Sequence, residues 1–155
     1  MLKHWIPLEK LDWVNLSGNP NAMNLLYDAL NETPERIDWK NLSRNPNAIS
    51  LLEENLERVD WKSLSENPNA IHLLSHNQQN IHWPYLSLNP NAFSLLEKNQ
   101  DKIHWSNLTD NTNPDAVQLL MENTDKINWD FFSANPCPEA VEYLFQHPDK
   151  INWAW

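Results

Sequence analysis

The phrase W-x-x-L-S-x-N-P-N-A-[IMF]-x-L-L runs from Trp13, Trp39, Trp61 and Trp83, and in looser form from Trp105 and Trp129. No other feature restricts the fold as strongly. Self-similarity at a period of roughly 20–50 residues marks a supersecondary unit that cannot bury its apolar face alone and does so against its neighbours. The tryptophans recur at intervals of 26, then 22 three times, then 24 twice, ending at Trp153. The added residues fall at the second helix of the first repeat (LLYDALNETPERIDW) and near the Asn-Pro turn of the last two (DNTNPDAV, ANPCPEAV). Insertions confined to turns and helix ends are what a stacked helical array tolerates.

Each repeat reads as two helical pieces. In the longer, Asn67 is an expected N-cap and Pro68 an expected first helical residue, since proline lacks an amide that would go unpaired there anyway. Ala70, Ile71, Leu73 and Leu74 form one apolar stripe. Asn55, Asn77, Asn99 and Asn123 stand where a left-handed residue commonly ends a helix. The second piece is I-[DHN]-W-x-x-L-S. Asp60 is its expected cap, and its length suits one helical turn or a 3₁₀ turn. Val59, Trp61 and Leu64 are expected to point inward. Ser65 is expected to bond the local backbone, and Asn19, Asn45, Asn67, Asn89 and Asn135 to serve the backbone as a polar column. The expected fold class is all-α: an α-solenoid of about six repeats of 22–26 residues, each a longer helix plus a short one. Residues 1–12 read as an N-terminal cap in which Trp5, Ile6, Pro7 and Leu8 cover the first repeat. Residues 13–152 are the repeats, and 153–155 begin another.

The segment from Ser133 to Trp153, S-A-N-P-C-P-E-A-V-E-Y-L-F-Q-H-P-D-K-I-N-W, resembles the leucine-rich repeat variant proteins. That resemblance implies alternating α- and 3₁₀-helices in a right-handed superhelix. The 22-residue form, L-S-x-N-P-N-A-I-x-L-L-E-x-N, is similar to tandem repeat proteins of giant DNA viruses, and implies a host-cytoplasmic protein if this chain is viral. The iron–sulfur cluster of the variant family's described member requires cysteines, and Cys137 stands alone here.

Composition excludes several function classes. The formal net charge is −10 and neither half is basic, so neither a nucleic-acid backbone nor an anionic membrane is an expected partner. One cysteine builds no disulfide framework and no cysteine zinc site. One glycine, Gly18, makes no phosphate-binding loop. No apolar run suits a signal peptide or a membrane span. The sequons at Asn15, Asn31, Asn41 and Asn107 read as by-products of the repeat, and the chain as cytoplasmic. The repeated serines carry no singular nucleophile, so the chain reads as non-enzymatic and free of cofactor.

The seven in-register tryptophans are expected to form a buried ladder rather than exposed stacking faces. His72 and His76, four apart on one helix, are a weak metal candidate. His82 and His104 occupy the cap slot of the short helix, as acceptors or, alternatively, as pH sensors. The residues one and two after each tryptophan vary between repeats and are expected to face outward. They are Lys40 and Asn41, Lys62 and Ser63, Pro84 and Tyr85, Ser106 and Asn107, and Asp130 and Phe131. They are the candidate partner-binding surface of a protein–protein interaction scaffold, the partner itself unknown. The aromatic C-terminal end is expected either to fold back as a cap or to pair with another copy. Phe145 and Trp155 are its self-association candidates.

Overall fold

The computed structural model describes residues 7–154. Trp5 and Ile6 of the expected N-terminal cover, and Trp155 of the expected self-association end, lie outside them. Among the described residues there are α-helices and 3₁₀ turns and no strand, and no helix is long and apolar enough to cross a membrane. The chain divides into two compact units, Met1–Asn80 and Ile81–Trp155.

The first unit contains α1 (Trp13–Gly18), α2 (Met23–Glu32), α3 (Trp39–Arg44), α4 (Ile49–Glu53), α5 (Trp61–Leu64) and α6 (Ile71–His76). The second contains α7 (Trp83–Leu88), α8 (Phe93–Glu97), α9 (Trp105–Leu108), α10 (Pro114–Glu122), α11 (Trp129–Phe132) and α12 (Pro138–Gln146). Each short helix opens on a tryptophan and is α rather than 3₁₀. The 3₁₀ element is a third piece that sequence reading did not separate. It is the turn just before each aliphatic–cap–Trp triplet: Leu8–Lys10, Pro34–Arg36, Leu56–Arg58, Gln78–Asn80, Gln100–Lys102, Thr124–Lys126 and Pro148–Lys150.

The short helices begin where a side-chain acceptor stands before the tryptophan. The Asp12, Asp38 and Asp60 carboxylates accept the amides of Asn15, Asn41 and Ser63 at 3.1, 2.7 and 2.7 Å. His104 Nδ1 accepts the Asn107 amide at 3.3 Å, so the histidine does replace the carboxylate there. His82 differs. It makes no side-chain cap bond, and its ring lies tilted against Tyr85, 4.6 Å between centroids.

The longer helices begin later than expected. In the 22-residue repeats they start at Ile49, Ile71 and Phe93, behind Ala48, Ala70 and Ala92, with no side-chain cap. Asn67 makes the expected cap bond, its Oδ1 accepting the Asn69 amide at 3.0 Å, but what it caps is a separate turn ahead of α6. Asn67-Pro68-Asn69-Ala70 forms this turn, closed by the Ala70 amide on the Asn67 carbonyl, 3.1 Å. The expected Asn-cap and Pro-first pattern appears at Asn19-Pro20, where it opens the 3₁₀ turn that leads into α2, and at α10. Asn113 caps α10 through the amides of Asp115 and Ala116, with Pro114 at its first position. Pro138 likewise opens α12. The added pairs, Pro114-Asp115 and Pro138-Glu139, lengthen these helices to 9 residues. The four extra residues of the first repeat add about one turn to α2.

The helix ends also depart from expectation. No described residue has positive φ. Asn55, Asn77 and Asn99 sit near φ −130° and ψ +45°. Each turns its side-chain amide back onto the carbonyl four residues earlier, and Asn123 does the same: Leu51, Leu73, Leu95 and Leu119 accept, each at 2.9 Å. The orphan carbonyl of the last turn is satisfied by the side chain, which removes the need for a left-handed backbone.

Within each unit, neighbouring repeats are joined by two buried polar columns. Ser17 and Ser43 each donate to the Trp carbonyl four residues back, 2.7 Å, and accept the amide of Asp38 or Asp60 in the next repeat, 3.0 Å. Ser87 does likewise with Trp83 and His104, and Ser133 with Trp129 and Asn152. The expected local bond is therefore half of a bridge. The asparagine column works across the same seam. Asn45 Nδ2 donates to the Ser17 and Asn19 carbonyls and Asn67 Nδ2 to those of Ser43 and Asn45. In the second unit Asn111 reaches Ser87 and Asn89, and Asn135 reaches Thr109 and Asn111. Asn111 was missed in the sequence because Asn113-Pro114 looks like the repeat's Asn-Pro; the structure aligns Asn113 with Asn69 instead, since both donate to a preceding proline carbonyl. The apolar core between these columns is Leu42, Leu64, Leu86, Leu108 and Phe132 from the short helices and Leu26, Leu52, Leu74, Leu96 and Leu120 from the longer ones, all fully buried.

Candidate functional site

The short helices carry the varied side chains. Lys40, Lys62, Asp130 and Phe131 are exposed, and Asn41, Pro84, Tyr85, Ser106 and Asn107 are half-buried. Ser63 overturns the outward expectation: it is 1% exposed. The reason is packing. Successive short helices pack on one another within each unit, α3 against α1, α5 against α3 and α9 against α7. Asn107 there is long enough to donate to the Pro84 carbonyl at 2.8 Å. Ser63 is shorter, and its hydroxyl finds no partner. Of the ten candidate positions, Lys40, Lys62, Asp130 and Phe131 are thus the exposed ones. Asp130 is partly engaged, accepting from Asn152 Nδ2 at 2.8 Å.

The tryptophans do not form the expected enclosed ladder. Trp13, Trp39, Trp61, Trp83, Trp105 and Trp129 are half-buried, and Trp153 is 77% exposed. Four of the half-buried indoles are covered by a cation from the 3₁₀ turn of the following repeat. Arg36 lies 5.7 Å from the Trp13 ring centroid, Arg58 5.3 Å from Trp39, Lys102 4.7 Å from Trp83, and Lys150 5.5 Å from Trp129. An indole at this margin keeps one face accessible, and a cation over it gains from the ring quadrupole, about 0.5–1 kcal/mol at an exposed site. The signal was present in the sequence as an acid–base pair before each aliphatic residue: Glu35-Arg36, Glu57-Arg58, Asp101-Lys102, Asp125-Lys126 and Asp149-Lys150, broken at Gln79-Asn80. Pro34, Glu35, Ile37, Trp39 and Arg58 line a cavity of ≈ 460 Å³ at one such position.

His72 and His76 lie with ring centroids 4.5 Å apart on the exposed side of α6. His76 Nδ1 contacts the His72 carbonyl at 2.9 Å, and Glu53 approaches His72 only to 3.9 Å. Among the described residues no group of three or more His, Cys, Asp or Glu side chains could hold a metal ion.

Cys137 is buried and donates to Glu139 Oε2 at 2.8 Å. Burial and the adjacent carboxylate push its thiol up, away from the thiolate that nucleophilic chemistry needs.

At the C-terminal side, Phe132 fills the leucine column. Tyr143 stacks on Trp129 and His147, with centroids 6.1 and 4.2 Å apart. Phe145 and Trp153 do not fold back as a cap; they are 87% and 77% exposed. Comparison of the chain with known protein families, characterised proteins and solved structures finds no match.

Proposed function

We propose that this chain is a non-enzymatic protein–protein interaction scaffold, a right-handed α-solenoid of about six repeats. The observation that carries this reading is how each repeat divides its side chains. The asparagine, serine and leucine columns are buried and direct their bonds and apolar surface to the adjoining repeat. Lys40, Lys62, Asp130 and Phe131 remain exposed and differ between repeats. Exposed side chains that vary on a fixed frame are what repeat proteins commonly present to partners. The handedness rests on family resemblance, which says nothing about the partner.

The test is affinity capture from a eukaryotic lysate with the full chain and with a Lys40→Glu/Lys62→Glu variant of matched circular dichroism. A protein retained by the wild type and released by the variant is the expected outcome. Identical capture by both chains, or none by either, would overturn the scaffold reading.

A second reading is self-association, favoured by the exposure of Phe145, Trp153, Phe131 and Val141 on one terminal repeat. Several large apolar side chains exposed on one repeat are what an association site presents. Sedimentation velocity across a range of concentrations decides it: assembly that Phe145→Ser abolishes supports it, and a monomer at every concentration removes it.

A further inference from the structure

Four times, this chain places its own cation over a tryptophan from the next repeat's 3₁₀ turn, and at Trp61 it does not. The residue in that place is Asn80, exposed and uncharged. Among the described residues no cation covers the Trp61 ring, although the indole is half-buried like its counterparts. At Trp105 the equivalent Lys126 is present and pairs with Asp125 at 3.0 Å, so among the six half-buried indoles Trp61 is the one whose following 3₁₀ turn carries no base at that place. The equivalent position at Trp39 shows what such a seat is made of: an open hollow lined by Pro34, Glu35, Ile37, the indole and Arg58. The corresponding residues around Trp61 are Leu56, Glu57 and Val59, with Leu56 39% exposed and the Glu57 side chain 72% exposed. Hydrocarbon and an indole face line the place that Arg58 takes at Trp39, and at Trp61 the Glu57 carboxylate at its edge meets Arg58 at 3.6 Å.

We infer that Trp61 is the seat for an arginine or lysine side chain of a partner protein, which supplies the cation that Asn80 does not. The inference rests on the scaffold reading and names its partner class: an exposed basic segment. The net charge of −10 favours approach of such a segment over long range. Guanidinium suits the seat better than ammonium, because it is less strongly hydrated and stacks flat on aromatic faces.

The experiment follows the indole N–H resonances of the full chain by ¹⁵N NMR. The probe is a blocked Gly-Arg-Gly-Arg-Gly peptide, and the same peptide with citrulline in place of arginine is the control. The Trp61 resonance, assigned with Trp61→Phe, is expected to shift with the arginine peptide and to stay still with citrulline. Asn80→Arg fills the seat from within, as Arg58 does at Trp39, and should weaken the peptide's effect at Trp61 by roughly two- to fivefold. Conversely, Arg58→Asn should make Trp39 respond. A motionless Trp61, equal shifts of all indoles, or a response unchanged by Asn80→Arg would overturn the inference. Lysate capture that depends on Lys40 and Lys62 while Trp61 ignores the peptide would leave the scaffold reading intact; a specific Trp61 response without lysate capture would do the reverse.

Discussion

Asn111 is fully buried and uses its whole amide. Nδ2 donates to the Ser87 and Asn89 carbonyls at 2.9 and 3.1 Å, and Oδ1 accepts the Asn113 amide at 2.9 Å. No other side chain of that size offers two donors and an acceptor with no net charge. Asn111→Ala strands buried carbonyls and an amide, each costing about 1–3 kcal/mol, so urea denaturation should show a loss of about 3 kcal/mol or more. Asn19 holds the same column position but is exposed and makes one side-chain bond, to the Asn21 amide. Asn19→Ala should cost under about 1 kcal/mol. Equal losses at the two sites would show that the bonds between repeats contribute little to stability.

At the scale of the element, the caps set where each helix starts and stops. Burial raises the Asp60 carboxyl, but the Ser63 amide at 2.7 Å and the charges of Lys40 and Arg44 outweigh it and hold the group below the usual carboxylate range. The unfolded carboxyl takes up its proton near its ordinary value of about 3.9, while the folded one takes it up lower. The cap's charge-linked contribution is therefore complete above that value and lost as pH falls through the folded one. Asp60→Asn keeps an acceptor, as Asn128 does at the head of α11, and should lessen the loss of stability below about pH 4 relative to wild type. Asp60→Ala should cost about 0.5–2 kcal/mol at neutral pH. A wild-type acid limb identical to that of Asp60→Asn would rule out this linkage. The far end of the helix gives a separate check. Asn99 ends α8 at φ −136° with its amide on the Leu95 carbonyl. Asn99→Gly loses that bond and frees the unfolded chain, so melting should show a loss of about 1 kcal/mol. A neutral or stabilising result would mean that the residue visits the left-handed region after all.

At the scale of the whole molecule, the tryptophans report how the repeats shield one another. Six are half-buried and Trp153 is 77% exposed. Acrylamide should quench Trp153 more readily than the six half-buried tryptophans, so in a chain carrying Trp5→Phe and Trp155→Phe a further Trp153→Phe should remove the most quenchable fraction and leave emission intermediate between buried and solvated indoles. A single uniform quenching constant before and after that substitution would contradict the burial pattern. The surface ion pairs add little to this picture. Arg44 and Glu66 meet at 2.9 Å across neighbouring repeats with both side chains partly exposed, where such pairs contribute about 0–1 kcal/mol.

Period, apolar stripe and cap chemistry were legible in the chain alone, because each depends on residues a few positions apart: Asp38 before Trp39, Asn55 after Leu51-Leu52, the leucine columns at helical spacing. What only the tertiary structure decided were the partners one repeat away. Asn67 is a bridge as well as the cap of its own turn because the Ser43 and Asn45 carbonyls lie within reach of its Nδ2. Ser63 is buried because α3 packs on α5. The Trp39 ring is covered because Arg58, 19 residues on in the sequence, arrives over it. A short-range pattern specifies what a side chain can donate, accept or bury; the packing of neighbouring repeats determines which of those capacities is used.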